Sequence, residues 1–506
     1  MFGGLVIGLL VTRMLLGVGQ DVFGIYVTIT VGFGVSIVLT ELLRMGLMPV
    51  LGTSLSEGKV QNIGEFRSNL TAAFVVSVGA AGLGASAMVA LGYWFLEGLG
   101  TPEIEDAAWT FLYLRIAMMS VIVTLTPAMS VLLVSARQPT HNMFLFLERL
   151  SEIAGVALPL WIFSDAGSYS NADRLVQFGA GISALTILTN LAGVWVAFAP
   201  GAEMRPLREW PDISNIRYIV GRIGWSSLQT ISINLYARAD VLIVASFLGP
   251  VGAVSLGIAI RLMGYVRQAT IGLVSGLDAT FANLSGQRKR LKKQSGKSDE
   301  FELKLLSLST ALQGGIVFQL GVLLLLLRQE IVFLWVGDLL EGENAAKMLE
   351  DISVLSSLMI IGIGFRSLNL GWMSAMTGQG NAKHFTPWLL PGAVGNAMVL
   401  IICGLYAPGT FSLLTVGWTF LGFQMVTHVI IIPIVSARSF GCRLQSLIEP
   451  LIVPFGIAVV TYFAACMLNK ILSDVSNELR IAAVVLMVLL GAATSLLMAL
   501  RCDVLK

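Results

Sequence analysis

Nine arginines lie within otherwise apolar segments, and their residue type suggests a specific chemistry: Arg13, Arg44, Arg115, Arg149, Arg222, Arg238, Arg261, Arg267 and Arg366. The acids in the same segments are fewer: Glu41, Glu148, Glu152, Asp240 and Asp278. A guanidinium keeps its charge at ordinary pH and holds a phosphate through two parallel hydrogen bonds, whereas a buried lysine can lose its proton. A surplus of arginine in apolar segments therefore predicts an anionic, phosphate-bearing ligand.

Depth in the apolar segments divides these arginines into two groups. Arg44, Arg149 and Arg222 are near segment ends, where a long side chain can extend to the interface. Glu41 with Arg44, and Arg149 with Glu152, have the spacing of ordinary pairs on one helix face, and Glu148 is adjacent to Arg149. The deeper group is predicted to line a cavity, since a charge inside a bilayer usually faces one: Arg13, Arg115, Arg238, Arg261, Arg267 and Arg366.

Asp240 is two residues beyond Arg238. We consider it either the acid that neutralises a nearby arginine or a coupling site for a cation or proton, and we favour the first. His428 invites a proton-relay interpretation, but a single histidine in an apolar helix is more often a packing residue. His141 and His384 occupy matching helix starts, which favours a structural role for both.

Motifs for enzymes, metals and cofactors are missing from the sequence. Gly296, Lys297 and Ser298 resemble the end of a nucleotide-binding loop, but Leu291 stands where that loop requires glycine. Metalloprotease and serine-hydrolase motifs are also missing. The four cysteines, Cys403, Cys442, Cys466 and Cys502, have no metal-ligand spacing. We therefore expect no enzyme activity, no cofactor, no metal site and cysteines that serve in packing.

Composition places these residues in a membrane protein. Of the 506 residues, 56% are hydrophobic and 12% are charged, about half the charged fraction of a soluble domain. Crossing a bilayer takes about 20 apolar residues. A window of that length predicts an all-α integral membrane protein with about 14 transmembrane helices, at residues 1–18, 22–48, 68–95, 107–134, 142–163, 178–199, 219–247, 252–281, 303–327, 352–376, 385–406, 411–436, 447–468 and 479–500. The first segment lacks the charged start and cleavage site of a signal peptide.

Loop charge predicts the orientation, because lysine and arginine are retained on the cytoplasmic side. Most loop cations fall on one side, including the run Gly286–Lys297, "GQRKRLKKQSGK". That run is expected to lie against anionic lipid headgroups, since no folded nucleic-acid reader accompanies it. Both termini are predicted to be cytoplasmic, and nucleic acid is not an expected partner.

An internal repeat predicts the domain organisation. "RMLLGVGQDVFGIY" (Arg13–Tyr26) resembles "ASFLGPVGAVSLGIA" (Ala245–Ala259), and both place Leu-Gly at a helix end before a short turn. "MSVLLVSARQPTHN" (Met129–Asn142) similarly resembles "MSAMTGQGNAKH" (Met373–His384). We therefore predict two six-helix lobes around a central cavity, at 1–199 and 218–436, with a cytoplasmic linker at 200–217 and two extra helices at 437–506.

With these features, the sequence resembles the polysaccharide flippases, often called Wzx proteins. The resemblance rests on the Leu16–Tyr26 start, "ARADVLIVASFLG" at Ala237–Gly249, the "SAMTGQGNAKH" turn, the acidic outer loops and the fourteen-span plan. These proteins belong to the multidrug/oligosaccharidyl-lipid/polysaccharide exporter superfamily. The chain departs from the family in its short start and in "DATFANL" at Asp278–Leu284, where a proline is expected near the helix end.

The resemblance implies a transporter of a lipid-linked (undecaprenyl-diphosphate) oligosaccharide in the bacterial inner membrane, working by alternating access. The expected partners are that substrate, membrane lipids and a polysaccharide polymerase complex. Helices thirteen and fourteen would form or cover a groove for the lipid tail. Three alternatives stay open: a cation-coupled multidrug or metabolite antiporter of the same fold, a non-transporting subunit of a polysaccharide-assembly complex, and an integral membrane transferase.

Overall fold

The protein is an all-α membrane protein. The computed structural model describes residues 2–58, 63–96, 102–135, 137–162, 169–199, 205–207, 210–274, 277, 280–281, 295–340, 345–379, 381–472 and 477–504, and every regular element in these ranges is a helix. The helices are α1 Phe2–Val18, α2 Gln20–Val27, α3 Val35–Gly58, α4 Ile63–Phe95, α5 Pro102–Val134, α6 Gln138–Ile162, α7 Asn171–Phe198, α8 Ile213–Val274, α9 Ser295–Val336, α10 Ala345–Leu368, α11 Leu370–Gly378, α12 Ala382–Tyr406, α13 Leu413–Met425, α14 Ile432–Phe440, α15 Leu444–Ile448, α16 Ile452–Ile471 and α17 Asn477–Val504.

In the described ranges, two π-helical segments interrupt the spans. Thr28–Phe33 joins α2 to α3, and Val426–Ile431 joins α13 to α14. Short 3₁₀ turns follow α9 at Gly337–Leu339 and α15 at Glu449–Leu451. A π-helical turn widens the helix and weakens its regular ladder, so side chains from other helices can reach the backbone there.

Eleven segments of the described chain are long and apolar enough to cross a membrane, from Gln20–Arg44 to Leu479–Arg501. Large apolar side chains such as Leu83, Trp195 and Val460 are exposed on their outer faces. An exposed apolar surface of this extent is stable only against lipid. The predicted membrane class is therefore confirmed.

The predicted number of fourteen helices exceeds these eleven segments for identifiable reasons. Helix α1 is apolar but short, over Ile7–Val18. Helix α6 carries Glu148, Arg149 and Glu152 within five positions, which lowers its hydropathy. The apolar stretch Leu228–Ile271 contains two helices. The figure of fourteen stays a prediction.

The break within α8 is at Gly249, whose backbone is non-helical at φ 69° and ψ −169°. Positive φ favours glycine, and Pro250 follows, which cannot continue the helical hydrogen-bond ladder. The sequence repeat predicted a helix end and short turn at Leu248 and Gly249, and this prediction is confirmed.

The chain forms two compact units, Phe2–Gly257 and Ile258–Lys506. In the first unit, α5 packs against α3, α4 and α7, and α6 packs against α1 and α7. A Cβ added at Gly155 of α6 would overlap the backbone of Ile182, and one added at Gly181 of α7 would meet the Gly155 carbonyl. Helices α6 and α7 therefore cross backbone to backbone, as small residues permit in membranes.

The segment before α8 is attached to the start of α4. The Arg67 side chain donates to the Arg205 carbonyl at 3.0 Å, and the Leu207 amide donates to Thr71 Oγ1 at 2.8 Å. The Asn215 amide donates to Ser68 Oγ at 2.7 Å. The described part of the predicted linker 200–217 is thus held by long-range hydrogen bonds.

In the unit Ile258–Lys506, α9 packs against α10, α16 and α17. Gly314 of α9 approaches Leu451 and Pro454, and Gly315 approaches Ser495 of α17. Gln319 of α9 donates to Thr461 of α16 at 3.4 Å. The last two spans therefore pack on α9 through small and polar residues.

The lobe boundaries at 199 and 218 stay predictions, as does the separation of 437–506. The first half of α8 packs within the unit Phe2–Gly257, since Gly32 lies against Val241 and Leu242. The basic run up to residue 294 and Asp278 lie outside the described residues.

Candidate functional site

A charged cavity of about 250 Å³ lies within the unit Phe2–Gly257. Helices α3, α5, α6 and α7 and the π-helical turn Thr28–Phe33 contribute its walls. Its ionisable lining residues are Glu41, Arg44, Arg115, His141, Glu148, Arg149 and Glu152, and its neutral polar residues are Thr30, Thr40, Thr126, Ser130, Thr186 and Asn190. Three guanidinium and three carboxyl groups therefore share one small space among membrane-spanning helices.

Arg115 is the most deeply buried arginine of this cavity, with 8% of its surface exposed. Its Nη1 donates to the sulfur of Met118 at 3.5 Å, a weak acceptor. No carboxylate of the described residues lies within 4.0 Å of its guanidinium. Removing the partner of a buried charge typically costs about 3–5 kcal/mol. Arg115 therefore presents a permanent positive charge to the cavity that an anion would stabilise.

Arg149 and Glu152 form an ion pair on α6, with Nη1 to Oε1 at 3.4 Å. More than half of the Arg149 side chain is accessible, at 54%, although the residue lines the cavity. A solvent-accessible pair contributes little stability, about 0–1 kcal/mol. An incoming anion could therefore displace Glu152 from Arg149 at small cost.

Glu148 is held by a neutral group. The amide nitrogen of Asn190 on α7 donates to Glu148 Oε1 at 2.8 Å and to the Thr186 carbonyl at 3.0 Å. Asn190 is 2% exposed, so its position is fixed by packing. Among the described residues, no lysine or arginine nitrogen lies within 4.0 Å of the Glu148 carboxylate.

His141, in the first turn of α6, is 4% exposed and lines the same cavity. Its Nδ1 has no hydrogen-bond partner of good geometry in the described chain. A ring at this position can donate to or accept from a ligand, which goes beyond the structural role that the sequence favoured.

Arg238 has a different environment from Arg115. Its Nη1 donates to the Val31 carbonyl at 2.8 Å, and its Nε donates to Asn234 Oδ1 at 3.1 Å. Asn234 in turn donates to Glu41 Oε2 at 3.4 Å. Val31 belongs to the π-helical turn, and Gly34 ends that turn with φ 35°. A Cβ at Gly34 would overlap the Arg238 guanidinium, so glycine makes the space that this side chain occupies.

The remaining predicted site residues lie elsewhere. Arg13 is exposed on α1, and Asp240 on α8 is fully buried at 0%. Arg261 and Arg267 are half-buried on the second part of α8, and Arg366 on α10 is 5% exposed. Of the six predicted arginines, Arg115 alone is among the described residues lining the charged cavity. Roles for the other five and for Asp240 stay predictions.

The sequence interpretation set aside two arginines that the structure brings to the cavity. Arg44 and Arg149 were expected to extend to the membrane interface, and in the structure both line the charged cavity together with Arg115. The signal was in α6, where three charges in five positions interrupt an apolar helix. Which side of α6 they occupy depends on packing against α5 and α7.

An apolar groove of about 420 Å³ lies within the unit Ile258–Lys506. It is lined by side chains of α8, α9, α10 and α16, among them Val266, Phe318, Leu325, Phe365, Phe455 and Tyr462. Helix α16 corresponds to the predicted helix thirteen, which the resemblance associated with a groove for a lipid tail.

No group of three or more histidine, cysteine, aspartate or glutamate residues in the described chain is arranged to hold a metal ion. The described cysteines, Cys403, Cys442 and Cys466, are free and partly buried. The polar groups that line the charged cavity are guanidinium, carboxyl, imidazole, hydroxyl and amide groups.

Solved structures of membrane transporters share this fold. The lipid II flippase MurJ, in an inward closed conformation, is 15% identical over 100% of this chain and 98% of that chain, with a TM-score of 0.68. A multidrug resistance MATE family transporter of the MOP superfamily, facing inward, is 13% identical over 88% and 96%, with a TM-score of 0.64. A MOP superfamily transporter from Pyrococcus furiosus, described as having a binding pocket of reverse polarity, is 14% identical over 87% and 92%, with a TM-score of 0.61.

No protein-family model and no curated protein matches the sequence. TM-scores of 0.61–0.68 establish the fold, and at identities of 13–15% they say nothing of the substrate. The chain thus has the fold shared by MOP superfamily transporters and a lipid flippase.

Proposed function

We propose that this protein moves a lipid-linked oligosaccharide, joined to its lipid through a diphosphate, across the bacterial inner membrane by alternating access. The headgroup of the substrate binds in the charged cavity, and the lipid tail of the substrate stays in apolar surroundings. No bond is made or broken, so the protein acts as a flippase of the Wzx type. Both termini face the cytoplasm, and a polysaccharide polymerase is its expected partner.

One observation carries this proposal: Arg115 is buried in a membrane-spanning helix and presents its charge to a cavity shared with Arg44 and Arg149. Keeping a guanidinium inside a membrane costs a few kcal/mol even on the most lenient scale. A diphosphate offers several oxygens to more than one guanidinium, which matches a cluster of arginines better than a single cation would. The ligand class is therefore an anionic phosphate group.

The apolar groove in the unit Ile258–Lys506 supports a substrate with a long tail. A groove of about 420 Å³ lined by phenylalanine, leucine and valine provides apolar contact for an acyl or prenyl chain. Moving such a chain from water into an apolar groove contributes about 0.8 kcal/mol per CH₂ group, whereas moving it from lipid into the groove contributes much less. The groove therefore guides the tail more than it contributes affinity.

The second candidate is a cation-coupled multidrug or metabolite antiporter. Glu148 and Glu41 line the cavity with neutral amide partners, Asn190 and Asn234. Carboxylates in that setting could bind a cationic drug or an ion. Arg115, which has no carboxylate of the described residues within 4.0 Å, places an unpaired positive charge in the same cavity, so we favour the anionic lipid.

The test is translocation in proteoliposomes of a fluorescent oligosaccharide linked through diphosphate to a polyprenyl lipid. We expect Arg115→Ala to reduce the initial rate by at least about tenfold. Losing one charge-assisted hydrogen bond of about 1.4 kcal/mol raises the activation free energy by that amount, which corresponds to a tenfold slower rate. Arg115→Lys should recover part of the rate, because charge is kept and the planar fork is lost.

Arg438→Ala is the matched control, since Arg438 is exposed in the last turn of α14. An equal rate for wild type and Arg115→Ala, at equal protein per vesicle, would refute the proposed headgroup site. Exchange of a cationic drug by a wild-type protein that does not move the lipid would favour the antiporter.

A further inference from the structure

The charged cavity contains charges of both signs that the protein leaves unneutralised. Arg115 on α5 has no carboxylate of the described residues within 4.0 Å, and Glu148 on α6 has no lysine or arginine nitrogen of the described residues within that distance. Both side chains line the same space of about 250 Å³. An unpaired charge away from bulk water is unfavourable, so a ligand that brings the opposite charge to each of them is stabilised there.

Two of the three lining carboxyl groups are linked to a guanidinium. Glu152 pairs with Arg149, with Oε1 and Nη1 3.4 Å apart. Glu41 accepts from Asn234 at 3.4 Å, and Asn234 Oδ1 in turn accepts from Arg238 Nε at 3.1 Å. The negative charges of Glu152 and Glu41 are therefore compensated, directly or through one amide, by groups of the protein itself.

The third carboxyl group, that of Glu148, is held by a neutral side chain. Asn190 Nδ2 donates to Glu148 Oε1 at 2.8 Å and to the Thr186 carbonyl at 3.0 Å. A neutral donor orients a carboxylate and leaves its negative charge in place. Glu148 is half-buried, and in the part of the chain that the structure describes no hydrogen bond reaches its Oε2. This second oxygen is therefore available to a donor on the ligand.

The wall that α5 and α7 contribute to the cavity offers hydrogen-bond acceptors. Thr126 Oγ1 donates to the Ile122 carbonyl at 3.0 Å, and Ser130 Oγ donates to the Thr126 carbonyl at 3.0 Å. A hydroxyl has one hydrogen, so both groups present lone pairs to the cavity. Asn190 uses its amide nitrogen for two hydrogen bonds, which leaves Oδ1, also an acceptor. This wall suits a ligand with several N–H or O–H donors.

We infer that the headgroup is zwitterionic: its diphosphate binds at Arg115, and a cationic amine on the adjoining sugar binds at Glu148. This inference rests on the proposed function, because it takes the ligand of Arg115 to be the diphosphate of a lipid-linked oligosaccharide. The cavity is small, so the two charges of the ligand must be close together, and the amine belongs to the sugar joined directly to the diphosphate. That sugar is an amino sugar whose nitrogen is not acylated, since acylation removes the charge.

An ammonium group matches Glu148 and the acceptor wall together. It carries one positive charge and three N–H donors, so one N–H can reach a carboxylate oxygen while the others reach neutral acceptors. A hydrogen bond that involves a charged group is about twice as strong as a neutral one. Replacing the ammonium by a neutral substituent should therefore weaken binding by about tenfold or more.

The experiment compares three probes that differ in one substituent of the sugar: glucosamine, N-acetylglucosamine and glucose, each joined through diphosphate to a farnesyl chain. Titration calorimetry with the full-length protein in nanodiscs, at a pH at which the amine is protonated, gives the three affinities. We expect the wild type to bind the glucosamine probe at least about tenfold more tightly than either of the others. The glucose probe is uncharged and smaller than the N-acetyl probe, so it separates charge from size.

Variants assign the preference to a residue. Glu148→Gln should remove the preference for the amine, while the amide oxygen still accepts from Asn190. Binding of the glucose probe by Glu148→Gln shows that this variant is folded. Arg115→Ala should weaken the binding of all three probes alike, because it removes the diphosphate partner. Glu330→Gln is the matched control, since Glu330 belongs to the unit Ile258–Lys506 and pairs with Arg480 at 3.7 Å.

Equal affinities of the wild type for the three probes would overturn the inference and leave the proposed function intact. A preference for the amine that persists in Glu148→Gln would place the amine elsewhere and also overturn it. Equal binding of the glucosamine and glucose probes, with weaker binding of the N-acetyl probe, would mean selection by size and would equally refute a site for a cation. Failure of the wild type to bind any of the probes would refute the diphosphate site and with it the proposed function.

Discussion

Substituting Gly34 by alanine should displace Arg238 from its place beside the π-helical turn. Gly34 has φ 35°, and an added Cβ would overlap the Arg238 guanidinium. The guanidinium would have to leave the Val31 carbonyl, to which Nη1 now donates at 2.8 Å. Its hydrogen bond to Asn234 Oδ1, at 3.1 Å, would be strained or lost with it.

The expected magnitude has two parts. A residue with a Cβ in the left-handed region costs about 1–2 kcal/mol. Each hydrogen bond of the charged guanidinium contributes about 1.5–3 kcal/mol. With the strain, the loss of one bond lowers the free energy of unfolding of Gly34→Ala by about 2.5–5 kcal/mol and the loss of both by about 4–8 kcal/mol, a large effect for a single methyl group.

A double-mutant cycle separates the two parts. In an Arg238→Ala background the Cβ at position 34 has no guanidinium to displace, so Gly34→Ala should cost only about 1–2 kcal/mol there. Unfolding in mixed detergent and SDS micelles, followed by tryptophan fluorescence, measures the four free energies. Transport by Gly34→Ala should also fall, because Asn234 links Arg238 to Glu41 in the cavity wall.

Equal costs of Gly34→Ala in the wild type and in the Arg238→Ala background would refute this reasoning. That result would mean that the guanidinium does not occupy the space beside Gly34. A cost in the wild type no larger than 1 kcal/mol would also contradict it, since the left-handed strain alone is about that large.

Two further predictions concern glycines whose surroundings differ. Gly155→Ala should destabilise the protein by about 1–3 kcal/mol in the same unfolding assay, because the added Cβ meets the Ile182 backbone. Gly82→Ala is the control and should be neutral or stabilising, since nothing lies within 4 Å of its Cβ. Equal effects of the two substitutions would contradict the close crossing of α6 and α7. Gly321→Phe should fill part of the apolar groove and reduce the amount of lipid that stays bound in native mass spectrometry. Gly456→Phe, on the exposed side of α16, is the control and should leave the bound lipid unchanged. Unchanged lipid in both variants would contradict a groove for a tail.

The membrane class of this protein followed from composition and hydropathy alone. Apolar stretches of about twenty residues have few alternatives to a spanning helix, because a backbone in lipid must satisfy its own hydrogen bonds. The break at Gly249 was equally readable, since glycine followed by proline ends a helix locally. These properties depend on neighbours in the sequence, and so the sequence determined them.

The assignment of arginines to a site required the tertiary structure. Arg115, Arg149 and Arg238 all interrupt apolar helices, yet their partners differ. Arg115 presents an uncompensated charge to the cavity, Arg149 lines the same cavity paired with Glu152, and Arg238 bonds to Val31 and Asn234. The π-helical turn and Gly34, which together accommodate Arg238, left no sign in the hydrophobic pattern.

The physical reason is that hydropathy along a chain measures how much of a helix is apolar and says little about which way it faces. Rotation about a helix axis is set by packing against neighbouring helices, here by contacts such as Gly155 against Ile182. The sequence by itself therefore determined that this protein spans a membrane and carries charges within it, and only the packing of α3, α5, α6 and α7 decided which of those charges share a cavity.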